Sequence, residues 1–105
     1  RAARALADSR LVWLEEPTIP DDIAGHARIV REGGVPIATG ENFHTLHEFQ
    51  NFIRAGAVTF PEPDVSTCGG VTPFMKVVKL GGDGPAYCGA YRRGGEFAGH
   101  LARAA

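Results

Sequence analysis

Cysteine is scarce in this sequence. Cys68 and Cys88 are the only two and form no CxxC pair, so neither a disulfide framework nor a thiolate zinc site has the residues it needs. Free thiols suit a reducing compartment, and a cytoplasmic location is expected. No apolar run approaches the roughly 18 residues needed to cross a bilayer, and the opening RAARALADSR lacks the apolar core of a signal peptide, so no membrane partner is expected. An excess of one charge is missing too. Eleven Lys and Arg against 12 Asp and Glu give a formal net charge of -1 and a pI near 6.5, which leaves no electrostatic footprint for nucleic acid. What is present is 105 residues, 44% hydrophobic and 22% charged: one small globular domain, too short for two cores.

The chain is organised around residues 35–45, VPIATGENFHT, which pass from apolar run to charge within one turn. Residues 35–39 read as a buried strand, and Thr45 with Glu48 as a capping box that opens a helix. Glu41 stands between them. The C-terminal end of a buried strand is where α/β enzymes place working groups.

Taken in order, residues 1–9 read as the tail of a helix that began earlier, a hint of truncation. Residues 10–14, RLVWL, read as a strand stopped by Glu15-Glu16-Pro17. Asp21 or Asp22 can cap a helix carrying Ile23, Ala27 and Val30 at helical spacing, which Gly33-Gly34 ends. The second strand, residues 36–39, leads to a helix with Leu46, Phe49, Phe52 and Ile53 in one apolar stripe, closed by Gly56. Residues 57–60, AVTF, read as a third strand stopped by Pro61 and Pro63, and Thr72-Pro73 as the cap and first turn of a helix carrying Phe74, Val77 and Val78. Strand starts at about Leu11, Pro36 and Ala57 fall 25 and then 21 residues apart, which predicts three βα units with parallel strands and right-handed crossovers. The fold class is α/β, and short continuous apolar strands suit a barrel or a doubly wound sheet. From residue 81 the chain turns rich in Gly, Arg and Ala. A fourth strand fits residues 85–89, whereas Gly94, Gly95 and Gly99, each costing about 1 kcal/mol in a helix, predict an irregular tail.

Acids follow each strand: Glu15 and Glu16, then Glu41, then Glu62 and Asp64. Glu15 to Glu41 is 26 residues and Glu41 to Asp64 is 23, in phase with the strand repeat, so a parallel sheet brings all three to one carboxyl edge. Any one of them alone reads as a solvated loop acid. Gathered together they repel, and a hard divalent cation such as Mg²⁺, which takes carboxylate and water oxygens, compensates them.

Trp13-Leu14-Glu15-Glu16-Pro17, Thr39-Gly40-Glu41-Asn42, and Pro63-Asp64 continuing to Gly69-Gly70-Val71-Thr72 occur in the order of three motifs of the enolase superfamily. The chain resembles that family's mandelate racemase/muconate lactonizing enzyme-like group, which includes acid-sugar dehydratases and racemases. The resemblance covers about residues 11–80. It implies a fragment of a (β/α)8 TIM barrel, about strands four to six, in residues 1–80, followed by a divergent tail in 81–105. It implies Glu15 and Glu41 as Mg²⁺ ligands and Asp64 as the acid that orients a catalytic histidine. It also implies a small acid-sugar substrate, a homo-oligomeric parent enzyme, and proton abstraction α to a carboxylate, with Mg²⁺ stabilising the enediolate. Sites of this superfamily use a Lys or His base. Loss of a β-hydroxyl then gives a 2-keto-3-deoxy acid, and reprotonation on the other face gives a racemase or epimerase.

The family's first metal ligand and its KxK base have no counterpart in the sequence. Lysine occurs only at positions 76 and 79, on a predicted outer helix face, and no histidine stands near residues 87–91. His44 and Asn42 are candidate substrate contacts, with a near-cap histidine and a turn-satisfying amide as the alternatives. His26 and His47 read as surface or packing residues, Glu16 as a neighbour of the metal site, and Glu62 as exposed. Three βα units leave Trp13, Phe49, Phe52 and Phe74 short of partners. The alternative to an enzyme is a noncatalytic remnant or assembly module with open strand edges.

Overall fold

The computed structural model describes residues 2–81 and the backbone of the strands Cys88–Ala90 and Gly99–Leu101. A short helix α1 (Ala2–Leu6) and a 3-10 turn (Ala7–Ser9) precede three strand-helix pairs: β1 (Leu14–Glu15) and α2 (Ile23–Gly33), β2 (Ile37–Thr39) and α3 (Leu46–Arg54), β3 (Phe60–Pro61) and α4 (Val71–Leu80). The three strands lie parallel in the order β1-β2-β3, as the spacing predicts. The last two described strands, β4 (Cys88–Ala90) and β5 (Gly99–Leu101), form a separate antiparallel pair. An irregular tail was expected there; β4 coincides with the end of the predicted fourth strand, and the remaining tail positions lie outside the described residues.

Local chemistry sets the helix limits. Asp22 caps α2, its carboxylate accepting from the Gly25 N–H at 2.8 Å, and Gly34 ends the helix at φ 72°. The α3 capping box is complete: the Thr45 hydroxyl accepts from the Glu48 N–H, and the Glu48 carboxylate accepts in turn from the Thr45 N–H at 2.7 Å. Helix α4 departs from expectation. Its cap position is Gly70, at φ 101°, so Thr72 lies inside the first turn.

The strands are shorter and later than their apolar runs suggest. Arg10 takes a left-handed φ of 51°, which leaves Leu11 and Val12 exposed ahead of β1. Pairing begins where the Leu14 N–H meets the Pro36 carbonyl at 2.8 Å. The third run is drawn off at its start, since the Ala57 N–H bonds to Phe52 O and closes α3. Thr59 then takes both backbone groups of Ile37, through its own N–H at 2.8 Å and its hydroxyl at 3.1 Å.

The core is built by Phe43, Phe49, Phe52, Ala57, Cys68, Phe74 and Val77. Phe49, Phe52 and Phe74 are 1%, 3% and 5% exposed, which corrects the expectation that they would lack partners: α3 packs on α4, and Phe43 from the β2–α3 loop meets both Phe49 and Phe52. Trp13 is half-buried, edge-on to Phe60 at 6.1 Å. His26 is fully buried, its ring 5.2 Å from Phe52 and Nδ1 3.0 Å from Asp22 O, which makes it a packing residue. No helix among the described residues is long and apolar enough to cross a membrane.

Candidate functional site

The strand register builds the site. Glu15, Ala38 and Phe60 form one row across the three parallel strands, and residues in register face the same side of a sheet. Alternation puts Trp13 on that side, and its ring contact with Phe60 agrees. At the carboxyl edge acids stand at or just past each strand end: Glu15, which ends β1, and Glu16, then Glu41 after Gly40, then Glu62 after β3.

Each acid is held differently. Glu15 is exposed, and its Oε2 accepts from the Trp13 indole N–H at 3.4 Å. The Glu16 N–H extends the ladder to Ala38 O at 3.0 Å while its carboxylate accepts from Asn42 Nδ2 at 3.1 and 3.0 Å. Glu41 is half-buried, and its carbonyl accepts from the Thr67 hydroxyl at 3.3 Å, which ties the β2 exit to the loop after β3. Gly40 precedes it at φ 136°, where a Cβ would stand 2.6 Å from the Phe49 ring and 3.2 Å from the Glu62 backbone. Only glycine lets the β2 exit pass this close to β3.

Glu62, expected to be exposed, is half-buried and is the most perturbed group of the site. Burial pushes its carboxyl up to about 7, and the charges of Glu15, Glu41 and Glu16 add to the effect. Its signal was present in the sequence: Glu62 follows Glu41 by 21 residues, the same interval that separates the second and third strand starts. Asp64 is placed apart from this set. It is 7% exposed, and its Oδ1 accepts from both the N–H and the hydroxyl of Ser66 at 2.7 Å. Its carbonyl accepts from the N–H groups of Thr67 and Cys68, so it anchors the turn beyond β3.

The other candidates divide. Asn42 is exposed on the β2 exit and engages Glu16. His44 is exposed beside the capping box, its backbone N–H donating to Glu48 Oε2 at 3.0 Å. His47 is exposed on α3, and Lys76 and Lys79 are exposed on α4, as their spacing predicted.

The donor set suits a hard cation. The acids that act on Glu62 are all carboxylates, and their mutual repulsion is the imbalance that a divalent ion relieves. Among the described residues no three His, Cys, Asp or Glu side chains stand together as a metal cage. Mg²⁺ does not require one, since it binds through one or two carboxylates and keeps several waters. Glu15, at the end of β1, and Glu41, just past β2, are the candidate pair.

Known proteins resemble this chain in sequence and in fold. Residues 1–82 match the family described as enolase C-terminal domain-like. A 3,6-anhydro-alpha-L-galactonate cycloisomerase from Streptomyces coelicolor is 65% identical over 80 residues, 76% of this chain and 22% of that protein. An L-talarate/galactarate dehydratase from Salmonella typhimurium is 38% identical over 80 residues, 76% of this chain and 20% of that protein. Among solved structures, a racemase from Streptomyces coelicolor A3(2) with bound magnesium superposes with a TM-score of 0.74 at 65% identity, covering 76% of this chain and 22% of that one. An L-talarate dehydratase from Polaromonas complexed with Mg and L-glucarate superposes with a TM-score of 0.72 at 38% identity, covering 74% and 22%. The chain thus spans about a fifth of the length of the curated relatives it matches. Matched across residues 1–82, with Glu15 and Glu41 of the first two motifs at the carboxyl edge of a parallel sheet, the chain belongs to the enolase C-terminal domain-like family of the enolase superfamily.

Proposed function

We propose that residues 1–80 supply strands four to six of a (β/α)8 barrel, with 81–105 as a divergent tail, in a Mg²⁺-dependent enzyme that removes the proton α to the carboxylate of an acid sugar. The observation that carries this reading is the placement of the two motif glutamates at the same edge of the sheet. Glu15 ends β1 and Glu41 follows β2, the strand beside it, and the charges of both add to the burial that pushes the Glu62 carboxyl up to about 7. In this reading Glu15 and Glu41 hold the cation, which supplies Lewis-acid stabilisation of the charge that builds on the substrate carboxylate. Glu62 keeps its proton to near neutral pH and so removes one negative charge from the edge. Asp64, fixed by Ser66, is the acid that orients a histidine, and Asn42 and His44, exposed on the β2 exit, are the substrate contacts.

Loss of a β-hydroxyl to give a 2-keto-3-deoxy acid is the proposed outcome, and several relatives at 34–38% identity bear the names of acid-sugar dehydratases. Isomerisation is the second reading, favoured by the cycloisomerase at 65% identity. Both share the α-proton step and the same carboxylates.

Isothermal titration of the chain with Mg²⁺ and Mn²⁺ tests the metal assignment. We expect weak saturable binding in the wild type and its loss in Glu15→Gln and Glu41→Gln. Equal heats from all three proteins would sink the assignment.

A further inference from the structure

The exits of β1 and β2 are tied together by two side chains that are not themselves assigned to the cation. Asn42 Nδ2 donates to both oxygens of Glu16, at 3.1 and 3.0 Å, across 26 residues of sequence. A carboxylate has only acceptors to offer, so the amide NH₂ is the end of Asn42 that faces it.

The backbone at Glu16 shows that this tie works against a local cost. Its φ is 38°, in the left-handed region that costs a non-glycine residue about 1 kcal/mol or more. Such a conformation persists where its surroundings over-determine it, and it concentrates at functional sites. Glu16 is held at both ends, by its N–H on Ala38 O and by its carboxylate on Asn42. The flanking residues decide what this accomplishes. Glu15 is bonded directly to Glu16, and Glu41 is bonded directly to Asn42. On its other side the Glu41 carbonyl is fixed by Thr67, so the β2 exit is braced from the segments that follow both neighbouring strands. An ordinary solvent-exposed contact of this kind contributes little to stability. Its place, one residue away from each of the paired carboxylates, gives it a different use.

We propose that Asn42 is a positioning residue: acting through Glu16, it holds Glu15 and Glu41 at the separation at which two carboxylates share one divalent cation. This rests on the metal assignment made above and adds a residue to it. The choice of asparagine follows from the charge balance, because an aspartate would set a further negative charge directly against the Glu16 carboxylate that Asn42 now donates to. Residues that orient metal ligands typically carry a 10- to 100-fold share of metal affinity.

The experiment uses the 105-residue chain and Mn²⁺ as probe, with binding read from water-proton relaxation, which reports weak sites. We expect affinity to fall roughly tenfold in Asn42→Ala and further in Asn42→Asp. Asn42→Ala combined with Glu16→Gln should bind no more weakly than Glu16→Gln alone, because the two residues act as one unit. A second readout needs no cation: the side-chain amide resonances of Asn42 should be displaced in the wild type and move to solvent-exposed positions in Glu16→Gln. Equal Mn²⁺ affinity in the wild type, Asn42→Ala and Asn42→Asp, with circular dichroism showing them folded, overturns the inference while the metal assignment stands. Fully additive losses in the double variant overturn the route through Glu16. A wild-type chain that binds no Mn²⁺ overturns the metal assignment and the inference with it.

Discussion

At the scale of single residues, Glu62 is where burial and charge act in the same direction. Its carboxyl titrates near 7 in the fold and near 4.5 when free, so between these values the native state holds a proton that the unfolded chain has released. The sign follows. Glu62 costs no stability below about pH 4.5, the cost grows as pH rises through the window, and it levels off above about 7. Glu62 is only partly buried, so the full cost is discounted to about 1 kcal/mol. Glu62→Gln, which copies the protonated form, should melt with the wild type near pH 4.5 and about 4 to 8 °C above it at pH 8. A melting difference that stays constant across this range would contradict the assignment. The residue also marks a limit of reading by type. Glu15 and Glu41 were legible because they sit in recognisable motifs, whereas Glu62 follows a proline-rich strand end and looks solvated until the register brings three other acids toward it.

At the scale of elements, what depended on neighbours in sequence was legible, the α4 cap at Gly70 excepted, and what depended on neighbours in space was not. The Asp22 cap, the Thr45/Glu48 box and the glycine stops all rest on bonds made within a few residues, and they stand where the sequence puts them. The strands moved because a two- or three-residue strand is defined by its partner: Pro36 offers a carbonyl but no N–H, and Thr59 rather than Ala57 meets Ile37. The box at the start of α3 also sets where the Glu41 loop ends. Partial burial opposes the charge on Glu48, but bonds from Thr45 and the His44 N–H outweigh it and hold the carboxyl below its ordinary range. Thr45→Ala should therefore cost about 1 kcal/mol, read as a lower urea midpoint with unchanged m-value. It should leave Mn²⁺ affinity within twofold of wild type, because Phe43 and Phe49, which brace the loop from below, remain buried. A tenfold loss of affinity would show that the cap, and not the strand register, fixes Glu41.

At the scale of the molecule, the strand intervals of 25 and 21 residues carried the parallel topology, since a crossover with a helix needs about that length and antiparallel hairpins do not. Placement of the base was not available from the same pattern. Lysine occurs only at 76 and 79, both exposed on α4; His26 is buried against Phe52, and His47 is exposed on α3. A general base must come within about 3 Å of the α-proton, and among the described residues only His44 lies on a strand exit next to the acidic edge. Lacking a placed general base typically costs about 10² to 10⁴ in rate, and a cation held by only two carboxylates would stabilise less charge than one in a fuller cage. We therefore expect no turnover from this chain alone. With Mg²⁺ present, galactarate-type, gluconate-type and fuconate-type acids should show neither 2-keto acid formation nor α-proton exchange in D₂O above the blank. Exchange that appears in the wild type and vanishes in His44→Ala would reverse this: His44 would then be the base, and residues 1–80 would carry a working half of the chemistry.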